Sequence, residues 1–273
     1  MSRISQCFES LKADGQTALI PYVTAGDPEP WVTVPLLHAL VEAGADIIEL
    51  GIPFSDPMSD GPVIQKACER ALKNDVSTKH VLKMVAQFRE KNTETPIVLM
   101  GYANPIEAMG YETFGQLAKE AGVDGVLTVD MPPEESDEFR AIMDKNGIDT
   151  IYLVAPTTSP ERMATITSCA RGFIYYVSIK GVTGSATLDV SEVSEKLAQL
   201  REKTKLPLGV GFGIRDGKSA AAVSEIADAV VVGSTLVRCI EEHANRMEEL
   251  PAAVAGLLAE MRHAINARDL ASA

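Results

Sequence analysis

Eight short apolar runs recur along the chain, each followed by a segment of helical length. The first four are "TALIPYVTAG" (17–26), "ADIIELGIPF" (45–54), "TPIVLMGYANP" (95–105) and "GVDGVLTVDMPP" (122–133). The others are "DTIYLVAPTT" (149–158), "GFIYYVSIKG" (172–181), "LPLGVGFGI" (206–214) and "ADAVVVGSTLV" (227–237). Their apolar residues are nearly continuous, without polar alternation, as in parallel strands covered on both faces. Between them the period changes. "PEPWVTVPLLHALVEAG" ends at a glycine suited to a helix C-cap, and "VSTKHVLKMVAQFREKN" and "PPEESDEFRAIMDKNG" space apolar residues three and four apart. "SEVSEKLAQLREKT" and "DGKSAAAVSEIA" follow the same rule. The pattern predicts an initial helix over about 3–13 and a long final one over about 249–267.

Eight strand–helix alternations without a linker or a composition break predict a single (β/α)8 barrel domain over residues 1–273. The length of 273 residues agrees, since such barrels take about 250. The formal net charge of −13 argues against nucleic acid, whose phosphates need a basic face. It leaves a phosphorylated small molecule open, because backbone N–H groups hold phosphate without a cation. The opening "MSRISQCFESLKADG" lacks the apolar core of a signal peptide, and no apolar run reaches the roughly 18 residues of a membrane span. Cys7, Cys68, Cys169 and Cys239 stand far apart and read as free thiols. A cytoplasmic protein without membrane contact is expected.

In a barrel of this kind the chemistry lies at the C-terminal ends of the strands. Those ends hold Glu49, Asp60, Tyr102, Asn104, Asp130, Lys180 and Thr183. His38, His80, His243 and His263 all fall in helical segments and read as helix-surface residues, so neither a metal site nor an imidazole base is expected. Trp31, Met84 and Met143 have helical spacing and read as packing residues. Glu49 closes an apolar strand, flanked by Ile47, Ile48, Leu50 and Ile52, where desolvation raises a carboxyl pKa toward neutrality. Asp60 lies in the loop beyond and is expected to stay ionised. Two carboxyl groups in unlike surroundings suit paired proton transfer. The plainer alternatives are that Glu49 pairs with a lysine and that Asp60 caps the helix starting near Pro62.

Two glycine turns point to phosphate. "GVGFGI" (209–214) ends the seventh strand, and "VVVGSTLV" (230–237) ends the eighth and turns directly into a short helix. Loops after strands seven and eight are the recurring phosphate site of these barrels. "GVTGSATL" (181–188), after the sixth strand, is a further Gly/Ser/Thr loop suited to closing over a ligand.

"ELGIPFSDPMSDGPVIQ", "GVTG", "GVGFGI" and "VVGS", in this order, resemble the tryptophan synthase alpha subunit family. "PYVTAGDP" and "MGYANP" support the resemblance, which spans essentially the whole chain. It implies retro-aldol cleavage of indole-3-glycerol phosphate to indole and glyceraldehyde 3-phosphate. It also implies a beta-subunit partner in an alpha2beta2 assembly, which carries pyridoxal phosphate and receives the indole; no cofactor is implied in this chain. By resemblance, Glu49 is the general acid/base and Asp60 meets the indole N–H as charge develops on the ring. Gly184, Gly213, Gly233 and Ser234 match the phosphate-binding backbone, and Phe212 and Tyr175 the indole pocket. Tyr22, Met100, Leu127 and Leu153 fall where that pocket continues, and Thr183 lies in the loop that closes toward Asp60. Asp56, Pro57, Asn104 and Pro132 lie in loops that face the beta subunit in the family. Tyr22 replaces a frequent phenylalanine and brings a hydroxyl that needs a partner. Two rivals remain at this level: a Schiff-base aldolase working through Lys180 on a sugar phosphate, and a non-catalytic phosphate-binding barrel subunit.

Overall fold

A computed structural model describes residues 1–178, 190–211 and 213–272. The chain begins with α1 (Arg3–Ala13), β1 (Ala18–Thr24), α2 (Pro30–Glu42), β2 (Ile48–Gly51), α3 (Pro62–Leu72) and α4 (Thr78–Arg89). It continues through β3 (Ile97–Gly101), α5 (Ala103–Met109), α6 (Tyr111–Ala121), β4 (Gly125–Thr128) and α7 (Asp137–Asn146). Next come β5 (Asp149–Val154), α8 (Pro160–Cys169), β6 (Ile174–Val177), α9 (Val190–Arg201) and β7 (Leu208–Gly211). The last elements are α10 (Gly217–Ser224), β8 (Ala229–Val232), α11 (Ser234–Glu242) and α12 (Leu250–Ser272). The eight strands pair in parallel and in sequence order, and β1 meets β8 to close the barrel. This is the (β/α)8 architecture that the repeating pattern predicts. No helix among the described residues is long and apolar enough to cross a membrane.

The unbroken apolar strands reflect two cores divided by strand parity. Leu19, Val23, Ile48, Leu50, Leu99, Val210 and Val230 point outward and pack against the helical ring. Ile20, Ile47, Val98, Leu127, Ile151, Phe173 and Val231 point inward and fill the barrel. The predicted first helix plugs the bottom of that interior. Ile4 and Phe8 of α1 join the inner core, and the Phe8 and Phe173 rings sit 5.8 Å apart.

The bottom of the barrel is fastened by carboxylates at strand entrances. Asp46 accepts the Leu19 N–H at 2.7 Å, Asp124 that of Ile97 at 2.8 Å, and Asp228 that of Leu208 at 2.8 Å. Each has a guanidinium partner: Arg262 for Asp46, Arg3 and Arg89 for Asp124, and Arg201 for Asp228. Buried charges are expensive unless paired, a requirement that the pairs at Asp46 and Asp124 meet, whereas the Arg201–Asp228 pair stays open to solvent.

Two expectations about bystanders change. Trp31 is 60% exposed and packs into no core, whereas Met84 and Met143 are buried as expected. His38 is not a surface residue but half-buried, stacked on Phe88 with ring centroids 4.8 Å apart. Burial holds its pKa below the usual imidazole value.

Candidate active site

Four inward-facing positions, three on neighbouring strands and one from across the barrel, converge at its C-terminal mouth. Tyr22 on β1 is in register with Glu49 on β2, and Met100 on β3 is in register with Gly51, two residues beyond Glu49. From the far side, Tyr175 on β6 points inward toward the same space. The two tyrosine rings lie over residues without side chains. A Cβ at Gly51 would stand 2.3 Å from the Tyr22 hydroxyl, and one at Gly211 would stand 2.2 Å from that of Tyr175. Both glycines are therefore required by close approach. The Tyr22 hydroxyl finds its partner in Thr24, at 3.1 Å.

These residues bound a cavity of about 240 Å3, lined also by Asp60, Gly213, Gly233 and Ser234. Gly61–Ile64, Ile214, Val231 and Arg238 complete the lining. Its walls are mostly apolar or aromatic with a few polar groups, as in sites for flat hydrophobic ligands. Gly213 adopts φ +78°, which a residue with a Cβ disfavours, and this turns the chain away from β7. α11 starts at Ser234 with Gly233 as N-cap and no side-chain cap, leaving first-turn N–H groups open toward an anion. The Thr235 hydroxyl donates to the Ile214 carbonyl at 3.0 Å and ties the two glycine turns together.

Glu49 is the electrostatic anomaly of the molecule. It is 2% exposed, and Oε1 is buried with no hydrogen-bond partner among the described residues. No lysine pairs with it there, so the plainer reading of this residue is set aside. Burial pushes its pKa up to about 8, and the charge of Asp60 adds to the rise. Asp60 does not cap α3, whose N-cap is Gly61 without a side-chain cap bond. Its Oδ2 instead accepts from the Tyr102 hydroxyl at 2.9 Å, and that hydroxyl accepts the Ser59 N–H at 3.1 Å. Burial raises Asp60 to about 6, with the Tyr102 bond pulling the other way. Asp60 is thus more perturbed than a loop aspartate was expected to be, while still ionised at neutral pH. At that pH the cavity holds one neutral carboxyl group and one carboxylate.

Other expected site residues fall in three groups. Leu127 and Leu153 share the interior face but do not line this cavity. Leu127 is buried in the inner core beside Met100, and Leu153 lines a separate hollow with Asp130 and Pro132. Asp56 is exposed and Pro57 and Pro132 half-exposed, on the loops after β2 and β4. Asn104 is exposed too, but it lies in the first turn of α5, directly after β3, and not, as expected, in a loop. Lys180, Thr183, Gly184 and Phe212 lie outside the described residues. The site also holds Val231 and Arg238, which were not singled out from sequence, and Tyr102, which was, without its role. Val231 was accessible through strand parity, lying two residues before Gly233 on the inward face of β8. Tyr102 stood at a strand end, yet its bond to Asp60 spans 42 positions and left no local trace.

Fold and site together define a (β/α)8 barrel whose cavity at the C-terminal strand ends holds two carboxyl groups. A family model described as "Tryptophan synthase alpha chain" matches residues 8–266. The tryptophan synthase alpha chain of Nitrosococcus oceani is 59% identical over 269 residues, covering 98% of this chain and 99% of the relative. The crystal structure of tryptophan synthase subunit alpha from Legionella pneumophila is similar with a TM-score of 0.91 at 48% identity, covering 98% of this chain and 99% of that one. A chain of a tryptophan synthase complex from Pyrococcus furiosus is similar at a TM-score of 0.80 and 38% identity, covering 90% and 98%. The chain belongs to the tryptophan synthase alpha chain family.

Proposed function

We propose that this chain is a lyase of tryptophan biosynthesis that cleaves indole-3-glycerol phosphate, with Glu49 and Asp60 as its catalytic groups. One observation carries the assignment: a buried, unpaired carboxyl group with a raised pKa shares an apolar cavity with an ionised aspartate. Glu49, protonated at rest, delivers its proton to C3 of the indole ring. Asp60 stabilises the positive charge that then develops at the ring N–H. The Glu49 carboxylate so formed takes the proton of the glycerol hydroxyl. The C–C bond breaks, its electron pair returns to the ring, and the hydroxyl carbon becomes the aldehyde. Indole and glyceraldehyde 3-phosphate are released with Glu49 again protonated. Tyr22, Met100 and Tyr175 supply apolar contact for the ring, and Gly213, Gly233 and Ser234 supply N–H groups for the phosphate.

Indole release from indole-3-glycerol phosphate by the purified chain tests this reading, and its pH dependence tests the roles. kcat/KM is expected to follow a bell, falling below about 6 as Asp60 gains a proton and above about 8 as Glu49 loses one. The two groups interact, so the limbs belong to the pair. Absence of indole, or a flat profile across this range, would count against the assignment. Tyr102→Phe removes the bond that holds Asp60 toward its ionised form. Its acidic limb is expected to move above 6, with activity at neutral pH lower by about tenfold, the worth of a hydrogen bond to a charged group. An unmoved limb would detach Tyr102 from the chemistry.

We also propose a tryptophan synthase beta subunit as partner, in an alpha2beta2 assembly, with pyridoxal phosphate in that subunit. Asp56, Pro57 and Pro132 lie on loops after β2 and β4 and Asn104 in the first turn of α5 after β3, and Met58, beside Pro57, is 78% exposed. An apolar side chain so exposed, rimmed by polar groups, suits a covered face.

A further inference from the structure

We propose that Arg238 is the cation that recognises the phosphate group of the substrate, setting affinity and not turnover; the proposal rests on the functional reading above. Among the described lining residues, Arg238 is the one cation facing a cavity that also holds Glu49 and Asp60. It is the fifth residue of α11, whose first residue, Ser234, lines the same cavity. Positions four apart share a helix face, and helical side chains lean toward the N-terminus. The Arg238 side chain therefore leans back toward the uncapped first turn, where an anion would sit.

Charge explains why a cation is needed there. The chain carries −13, and a phosphoester brings roughly −1.5 to −2 at neutral pH. A helix N-terminus offers only about half a positive charge. A guanidinium adds a full charge in a forked geometry that matches phosphate oxygens. Among the described residues Arg238 forms no ion pair, although Glu241 follows three positions later. Glu241 is held instead by α3, through Arg70 at 3.3 Å and Lys66 at 3.8 Å. That arrangement leaves Arg238 free to engage a ligand. The phosphate is remote from the breaking bond, so the contact strengthens ground state and transition state alike. Such uniform binding appears in KM.

The test compares wild type with Arg238→Met and Arg238→Lys in indole release at low and high salt, with inorganic phosphate as competitor. Arg238 is exposed and methionine is a good helix former, so unchanged thermal melting is expected. Arg238→Met is expected to raise KM about tenfold, equivalent to about 1.4 kcal/mol, with kcat held within about twofold. Inhibition by phosphate should weaken in parallel and the salt dependence of KM should flatten, while Arg238→Lys restores most of the affinity. Unchanged KM and phosphate inhibition in Arg238→Met would overturn the proposal, as would a loss confined to kcat. If wild type releases no indole, the functional reading fails on its own. Calorimetric titration with phosphate then decides Arg238 separately: binding by wild type and not by Arg238→Met supports it, and equal binding or none sinks it.

Discussion

Glu49→Gln is expected to lower indole release by about 10^3-fold, since a general acid/base typically contributes between 10^2 and 10^4. The amide matches the carboxyl in shape, so the cavity between Tyr22 and Tyr175 keeps its form, but it neither gives nor takes the proton that cleavage requires. The same substitution makes a second, independent statement through stability. In the unfolded chain Glu49 ionises near 4.5, whereas in the fold it holds its proton up to about 8. Between those values the unfolded state binds fewer protons, so wild-type stability falls as pH rises through this window. Glutamine does not titrate and escapes that loss. The melting temperature of Glu49→Gln relative to wild type is therefore expected to climb from pH 5 to pH 9. Near-normal indole release would remove Glu49 from the chemistry, and a difference that shrinks with pH would contradict its buried neutral state.

Asp60→Asn is expected to cost less, about 10^2-fold, because it removes a stabilising charge and not the proton carrier. The asparagine carbonyl still accepts from Tyr102, so the loop stays anchored. The diagnostic lies in the other residue. The charge of Asp60 helps hold Glu49 up near 8, and without it the basic limb of the pH profile should move to lower pH. Loss of activity with the basic limb unmoved would mean that the two carboxyl groups do not sense each other. These two variants, measured over the same pH range, separate proton transfer from charge stabilisation.

Much of this was visible before any coordinates. Apolar runs without alternation required strands covered on both faces, and eight of them between helices left little besides a closed barrel. The boundaries were less legible. β2 spans only Ile48–Gly51, whereas its apolar run extends to Phe54. Ile52 and Pro53 continue the run because they are buried too, in the loop that follows β2. Burial, not strand geometry, sets the length of an apolar run. The site was legible where its residues stand in local context: Glu49 at the end of β2, and the glycine turns after β7 and β8.

What stayed hidden was which acid lacks a partner. "GADIIEL" and "GVDGVL" set Asp46 and Asp124 in surroundings as apolar as those of Glu49, and by sequence all three look equally expensive. Asp46 is answered by Arg262, and Asp124 by Arg3 and Arg89, residues brought together across the barrel floor. Glu49 is left unanswered. The sequence by itself determined the barrel, the end of it at which chemistry occurs, and the two acids worth testing, because apolar periodicity and strand-end position are local properties of the chain. Only the tertiary structure decided that Glu49 is neutral, that Asp60 is held by Tyr102, and that Arg238 faces the same cavity. Desolvation and pairing depend on groups distant in sequence, and only folding brings them within reach of one another.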